Sequence, residues 1–84
     1  MVKLLFFARL REDLGTSAEE LALPAGVTTV ASLRAHLMAR GGAWATVLGN
    51  GKALRVAVNQ DMADPATPVK AGDEVAFFPP VTGG

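Results

Sequence analysis

The feature that most restricts the fold is a first segment whose two faces are both apolar. The apolar side chains of residues 2–8 are Val2, Leu4, Leu5, Phe6, Phe7 and Ala8. Because successive side chains of a strand point to opposite faces of its sheet, this run predicts a strand that needs cover on both sides. Such strands are typical of the middle of a sheet rather than its edge. The sequence therefore predicts a central strand at the start of the chain.

The remaining pattern predicts further strands and one long helix. Residues 10–14 predict a short helical turn that ends at Gly15, and residues 16–23 predict a second strand in a hairpin with the first. The long helix is expected to begin at an N-cap, Thr28 or Thr29, and to stop at Gly41-Gly42. The elements expected after it are a helical turn over 43–48, a strand over 54–58, a turn over 59–61 and a last strand over 73–78. This order predicts an α+β fold in which one main helix packs on one face of the sheet.

One apolar face of this sheet is expected to lack cover. The helix is expected to pack on the face formed by Val56, Val58, Val75 and Phe77. The apolar side chains on the opposite face are Leu5, Phe7, Ala57, Ala76 and Phe78. Half of the 84 residues are hydrophobic, a high share for so small a domain, and an apolar surface patch indicates a partner. We interpret this face as a docking surface, with Arg9, Arg11 and Arg55 as its polar rim.

The last predicted strand runs into a distinctive segment, Phe77-Phe78-Pro79-Pro80-Val81-Thr82-Gly83-Gly84. Pro79 and Pro80 have no N–H to donate to a sheet, so they are expected to stop the strand abruptly. Gly83 and Gly84 have no Cβ, which makes the end of the segment narrow enough to thread a tunnel in another protein. A carboxylate on Gly84 is a poor electrophile, and it becomes useful in acyl chemistry once an ATP-dependent partner converts it into an acyl-adenylate. We therefore expect the segment to act through Gly84 rather than to be an ordinary frayed terminus.

Composition argues against several other functions. Eight basic and eight acidic residues give no net charge, so neither nucleic acid nor a membrane surface is indicated as a partner. The chain has no cysteine, which excludes disulfides and fits a reducing cytoplasm. The first apolar run is too short for a signal peptide or a membrane span, so we expect a soluble, unprocessed protein.

The sequence also shows no self-contained active site. The carboxylates lack the spacing of a metal site, and there is neither a partnered nucleophile nor a phosphate-binding glycine loop. His36, the only histidine, is expected on the solvated side of the helix. Trp44 is expected in the core or at its rim. No bound metal or cofactor is therefore predicted.

Three stretches of the chain resemble the small, sulfur-carrier subunits of molybdopterin synthases. The most specific is GDEVAFFPPVTGG at residues 72–84, and the others are LFFARLRE at residues 5–12 and AVNQ at residues 57–60. The resemblance implies a ubiquitin-like, or β-grasp, domain over residues 1–80 and a flexible tail over residues 81–84. It also implies a mixed sheet in which the first and last strands lie parallel in the middle.

The same resemblance implies a function centred on Gly84. An ATP-using adenylating (E1-like) enzyme would activate its carboxylate, and a persulfide sulfur donor would displace AMP to leave a thiocarboxylate. The tail would then thread into the large synthase subunit and give its sulfur to cyclic pyranopterin monophosphate, building the molybdopterin dithiolene. The residues expected to thread are Pro80, Val81, Thr82 and Gly83. The residues expected at the interface with the large subunit are Leu5, Phe7, Arg9, Arg11 and Phe78.

The implied assembly is a cytoplasmic heterotetramer whose catalytic groups lie on the large subunit. Other interpretations of the same features stay open. A carrier for thiamin synthesis or tRNA thiolation would share the fold and the terminal glycines, although the FFPPVT lead-in favours the molybdopterin subunit. A ubiquitin-like protein modifier would join Gly84 to lysines, and a plain β-grasp binding module would make no use of the tail.

Overall fold

Five strands and three helices make up the part of the chain that the structure describes. The structure is a computed structural model, and it describes residues 1–49 and 54–79. In chain order the elements are β1 (Val2–Phe6), α1 (Arg9–Leu14), β2 (Ala18–Leu21), α2 (Val30–Met38), α3 (Gly42–Val47), β3 (Arg55–Val58), β4 (Asp61–Ala63) and β5 (Glu74–Phe78).

The strands form one mixed sheet in the order β2-β1-β5-β3-β4. β1 and β5 are parallel neighbours in its middle, and the other three pairings are antiparallel. This confirms the central first strand, its hairpin with the second, and the mixed sheet implied by the resemblance. Because β1 and β5 run in the same direction, both end at the same edge of the sheet, where Pro79 follows.

The core lies between the inner face of the sheet and the helices. The inner-face side chains, each at most 9% exposed, are Val2, Leu4, Phe6, Val56, Val58, Val75 and Phe77. From α2, Val30, Leu33 and Leu37 join the same buried cluster. The ring of Phe6 stacks on Phe77 at 5.7 Å and meets the half-buried Trp44 edge-on at 5.4 Å. The helix therefore covers the face that the sequence predicted, and Trp44 packs at the edge of the core.

The main helix begins at a defined cap. The Ser32 amide donates to the Thr29 hydroxyl at 3.2 Å, and the Thr29 amide donates to the Ser32 hydroxyl at 2.9 Å. This capping box satisfies two backbone N–H groups that have no partner inside the helix. It decides between the two predicted caps in favour of Thr29. After α2 the chain turns at Gly41, whose φ is 77°.

An ion pair closes the edge of the core beside β2. The Arg40 guanidinium donates to both carboxylate oxygens of Glu19, and its centre lies 4.5 Å from the ring centroid of Trp44. The hydrogen bonds from Arg40 lower the pKa of the Glu19 carboxyl. Since both charged side chains are partly exposed, the pair adds only modestly to stability. Its geometry holds the end of α2 over the edge strand.

Three predicted boundaries were wrong. β1 ends at Phe6 instead of Ala8, because the backbone of Ala8 has a φ of 54° and turns into α1. β2 spans only Ala18–Leu21, within the predicted 16–23. The turn predicted over 59–61 is a two-residue hairpin turn, with φ values of 51° at Asn59 and 71° at Gln60, and it leads into an unpredicted edge strand, β4. A three-residue strand is too short to show alternation, so the sequence pattern could not reveal it.

Candidate docking surface

The sheet face opposite the helices carries a continuous apolar row. Leu5 on β1 pairs with Ala76 on β5, Ala76 pairs with Ala57 on β3, and Ala57 pairs with Met62 on β4. Directly paired residues point to the same face, so these side chains line up across four strands. We define the outer face as the side chains of Leu5, Phe7, Ala57, Met62, Ala76 and Phe78. None of them belongs to the hydrophobic core cluster.

A stacked aromatic pair lies at one end of this face. The rings of Phe7 and Phe78 stack with centroids 4.9 Å apart and an interplanar angle of 5°. Phe7 is 41% exposed, whereas Phe78 is half-buried. The Phe6–Phe77 stack lies directly behind it on the inner face, so two consecutive aromatic pairs join β1 to β5. The outer pair presents two parallel apolar rings where β1 and β5 end.

Two predicted members of the exposed face are in fact covered. Ala57 and Ala76 are only 5% and 6% exposed. A methyl group stays close to its strand, and Ala76 lies between its partner Leu5 and Phe78, two residues further along. The expectation that nothing covers these two was therefore wrong. The exposed apolar area of the outer face comes mainly from its larger side chains.

Met62 is the outer-face residue that the sequence analysis missed. Its side chain is 63% exposed and continues the apolar row onto the edge strand. Among residues 1–49 and 54–79, the exposed large hydrophobic residues are Met1, Phe7 and Met62. Only the pairing of β4 with β3 places Met62 beside Ala57, and that strand carried no sequence signal.

The three predicted rim arginines are all exposed. Arg55 on β3 is the registered partner of Phe78. Arg9 and Arg11 lie in α1, which starts two residues after Phe7. The Arg9 side chain is 83% exposed, and its Nε lies 3.8 Å from Asp13 Oδ2. An exposed pair of this kind contributes little to stability.

A polar cluster around the buried Asp73 lies where β5 begins. Asp73 is 6% exposed and accepts hydrogen bonds from the Asn59 side chain at 3.0 Å and the Lys70 amide at 2.9 Å. These bonds, the one from Asn59 above all, lower the pKa of the Asp73 carboxyl. Asn59 also accepts from the Glu74 amide at 3.0 Å. The cluster joins the β3–β4 turn to the start of β5 and so supports the strand that ends at Phe78.

The predicted threading residues and reactive residue lie outside the described residues. β5 ends at Phe78, and Pro79 is the last residue described before Pro80, Val81, Thr82, Gly83 and Gly84. The structure therefore places Leu5, Phe7 and Phe78 together on one face, whereas Arg9 and Arg11 lie in α1, whose Leu10 joins the core on the opposite side of the sheet. That these three side chains share one face agrees with the sequence pattern, and their contact with a partner stays a prediction.

A concavity lies on the helix side of the sheet, between α2 and the β3–β4 pair. It has a volume of about 460 Å³ and is lined mainly by apolar side chains. Its charged lining residues already have partners: Arg34 Nε donates to the Leu48 carbonyl at 2.7 Å, and Asp64 accepts from the Ala66 amide at 2.8 Å. The groove thus lacks the convergent polar groups of a small-molecule site.

Neither a metal cluster nor a membrane span occurs in the described ranges. No three His, Cys, Asp or Glu side chains of residues 1–49 and 54–79 converge on a point that could hold a metal ion. Within the same ranges, no helix has the length and apolarity needed to cross a bilayer. His36 is half-buried in α2.

Comparison with known proteins decides the family. A family model described as the ThiS family matches residues 4–84. The chain belongs to the ThiS family. This ThiS-family chain is 52% identical to the "molybdopterin synthase sulfur carrier subunit" of Escherichia coli (strain K12), and the match covers 100% of both chains.

Solved structures show the same β-grasp architecture as this ThiS-family chain. The crystal structure of SAMP1, small archaeal modifier protein 1, from Haloferax volcanii has a TM-score of 0.79 and 28% identity, covering 99% of this chain and 98% of that one. The complex of subunits 1 and 2 of molybdopterin-converting factor from Helicobacter pylori 26695 contains a chain with a TM-score of 0.67 and 25% identity. That match covers 99% of this chain and 97% of the other. These likenesses confirm the predicted fold class.

Proposed function

We propose that this chain is the sulfur-carrier subunit of a molybdopterin synthase and that Gly84 carries the sulfur. The observation that carries the proposal is the 52% identity, over the full length of both chains, with the carrier subunit of Escherichia coli. The geometry supports it, because the central strand β5 leads toward the GG segment from an apolar face. A carrier needs such a face, since it must present its terminus to the active site of another protein.

The proposed chemistry takes place at the Gly84 carboxylate. An ATP-dependent E1-like enzyme joins the carboxylate to AMP and releases pyrophosphate. The terminal sulfur of a persulfide donor then forms a C–S bond as AMP leaves, and a second thiol attacks the donor sulfur of the resulting acyl disulfide, which releases the Gly84 thiocarboxylate and leaves the two thiol sulfurs joined as a disulfide. The thiocarboxylate is a stronger nucleophile than the carboxylate, so its sulfur attacks cyclic pyranopterin monophosphate to form a thioester, and hydrolysis by one water leaves the sulfur on the pterin and returns Gly84 to a carboxylate. Two such transfers build one dithiolene.

The large synthase subunit is the proposed partner of the outer face. The complex of subunits 1 and 2 of molybdopterin-converting factor from Helicobacter pylori supports this assignment. Docking through Phe7, Phe78 and Met62 would hold the tail in place, so that Pro80 to Gly83 thread into the partner's pocket. Positioning of this kind turns a bimolecular reaction into an effectively intramolecular one, and a closed pocket keeps the thiocarboxylate from side reactions in bulk water before it meets the substrate. We place this assembly, a heterotetramer with the catalytic groups on its large subunits, in the cytoplasm.

Intact mass spectrometry tests the carrier role. The protein is incubated with the activating enzyme, ATP and a persulfide donor, and its mass is compared before and after. We expect a gain that corresponds to one oxygen replaced by one sulfur, located at Gly84 by fragmentation. A variant extended by one bulky residue beyond Gly84 is the matched control, because it keeps the fold but converts the Gly84 carboxylate into a peptide bond. An unchanged mass with a competent enzyme would contradict the proposal.

A protein modifier is the second candidate, because the fold matches SAMP1, small archaeal modifier protein 1, at a TM-score of 0.79. In that case Gly84 would form isopeptide bonds with lysines of other proteins. The same incubation, carried out in a cell extract, separates the two functions. Lysine-linked conjugates without a thiocarboxylate would favour the modifier, whereas a thiocarboxylate without conjugates favours the carrier.

A further inference from the structure

The turn after β1 contains a residue in a conformation that alanine rarely adopts. Ala8 has φ 54° and ψ −128°, and the Leu10 amide donates to the Phe7 carbonyl at 3.1 Å. This is the geometry of a type II′ turn, whose first central residue has a positive φ and is usually glycine. Ala8 is exposed, so the strain arises from its own Cβ and backbone and not from crowding by neighbours. Strained residues of this kind persist only where the surrounding structure holds them.

The hydrogen bonds between β1 and β5 explain what holds this turn. The Lys3 amide donates to the Asp73 carbonyl at 3.0 Å, and the Phe7 amide donates to the Phe77 carbonyl at 3.2 Å. In a parallel ladder of this spacing, the next donor would be the amide of residue 79, directed at the Phe7 carbonyl. Residue 79 is proline and has no N–H. The strained turn supplies the missing donor, because it brings the Leu10 amide to that carbonyl instead.

Pro79 and Ala8 therefore end the two central strands at the same level. The turn carries the chain toward α1, where Leu10 is buried in the core, and so leads it away from the outer face. Phe7, the residue just before the turn, is left with its ring parallel to that of Phe78. If β1 continued through Ala8, as its sequence pattern predicts, it would extend past the last hydrogen bond that β5 can make.

We propose that Ala8 is a positioning residue of the docking surface. Its strained turn holds Phe7 against Phe78 and turns β1 away from the edge of the sheet where β5 ends. Because the Phe7 and Phe78 rings are already in place, little conformational entropy is lost at this surface when the partner binds. This inference rests on the proposed function for the identity of the partner, the large synthase subunit. The geometry of the turn itself does not depend on it.

The test compares three residues at position 8 in the full chain: the natural L-alanine, D-alanine introduced by chemical synthesis, and glycine from Ala8→Gly. A D-residue has the mirror-image backbone preferences of an L-residue. The angles at position 8, φ 54° and ψ −128°, are the mirror image of φ −54° and ψ 128°, an extended conformation that L-residues adopt readily, so they suit D-alanine. D-alanine thus keeps the turn and removes the strain. Glycine also removes the strain but frees the turn to adopt other conformations.

We expect D-alanine to lower the unfolding equilibrium constant about tenfold, which corresponds to about 1.4 kcal/mol, without changing the affinity for the large subunit. Ala8→Gly should be at least as stable as the natural protein but should bind the large subunit about three- to tenfold more weakly. In the free protein, NMR cross-peaks between the Phe7 and Phe78 rings should remain with D-alanine and weaken with glycine. D-alanine at position 35, within α2, is the control and should destabilise the fold.

Two results would overturn the proposal. If the D-alanine protein is no more stable than the natural one, the turn holds no strain. If Ala8→Gly keeps both the ring cross-peaks and the natural affinity for the large subunit, the Ala8 side chain is not needed to fix the turn, and Ala8 is not a positioning residue. A purely structural role would change stability and affinity together, whereas positioning separates them. Failure of the proposed function has a different signature: the natural protein would not bind the large subunit, while the stability and NMR results would stand.

Discussion

Phe77 and Phe78 offer a matched pair of substitutions, because they are adjacent in sequence and face opposite sides of the sheet. Phe77 is fully buried and stacks on Phe6 in the core. Truncating a buried phenylalanine to alanine costs about 3–5 kcal/mol. For a domain of 84 residues the whole stability is about 4–13 kcal/mol, so Phe77→Ala should leave the protein marginally folded. The conservative Phe77→Leu should cost about 1.5 kcal/mol and stay folded.

Phe78→Ala should behave in the opposite way. It removes a half-buried ring and a stacked contact with Phe7, which is worth about 0.5–1.5 kcal/mol, so the loss in stability should be about 1 kcal/mol. As an aromatic anchor of the docking surface, the same ring should contribute about 2 kcal/mol or more to partner binding, or about a 30-fold change in Kd.

Urea unfolding and titration calorimetry with the large synthase subunit measure the two quantities separately. A double-mutant cycle with Phe7→Ala should show coupling between the rings in both assays. Equal losses of stability for Phe77→Ala and Phe78→Ala would contradict the assignment of the two faces. An unchanged Kd for Phe78→Ala would remove this residue from the interface.

Three further predictions concern the scaffold. The hydrogen bond from Asn59 lowers the pKa of the Asp73 carboxyl in the folded protein, so the ionised carboxylate stabilises the fold at any pH above the unfolded pKa. This contribution is lost as the pH falls through the lower, folded pKa. Measured by urea unfolding, Asp73→Asn should therefore lose less stability between neutral and acid pH than the natural protein does. A Cβ on Gly49 would lie 2.4 Å from the Ala45 carbonyl oxygen, so Gly49→Ala should cost about 1–3 kcal/mol in urea unfolding, and an unchanged midpoint would show that α3 has room to shift. Thr29→Ala should cost about 1 kcal/mol by thermal unfolding, whereas Thr29→Ser should match the natural protein because serine caps equally well.

Local pattern was sufficient for the elements with strong, repeated signals. The two-faced apolar run at the start of the chain predicted the central position of β1, and the helical spacing that ends at Gly41 predicted α2. Short elements were harder, because a few residues show no period. Hence β4 was missed, and with it the place of Met62 on the outer face.

Prediction of the docking surface depended on knowing which strands are neighbours. Alternation along each strand assigned Leu5, Phe7 and Phe78 to one face, and the resemblance supplied the parallel pairing of β1 with β5. Alternation carries no information about how deeply a small side chain lies between larger ones. The burial of Ala57 and Ala76 therefore became visible only in the assembled sheet.

The sequence by itself determined the end of the last strand, and it carries the glycines on which the proposed tail chemistry depends. Pro79 and Pro80 have no N–H wherever they lie, and a glycine carboxylate has its reactivity without any fold. The tertiary structure alone decided that β1 stops at the same level, through a strained turn at Ala8 that no propensity favours. The reason is physical: the Phe7 carbonyl needs a donor once Pro79 cannot supply one, and only the three-dimensional pairing of β1 with β5 creates that need.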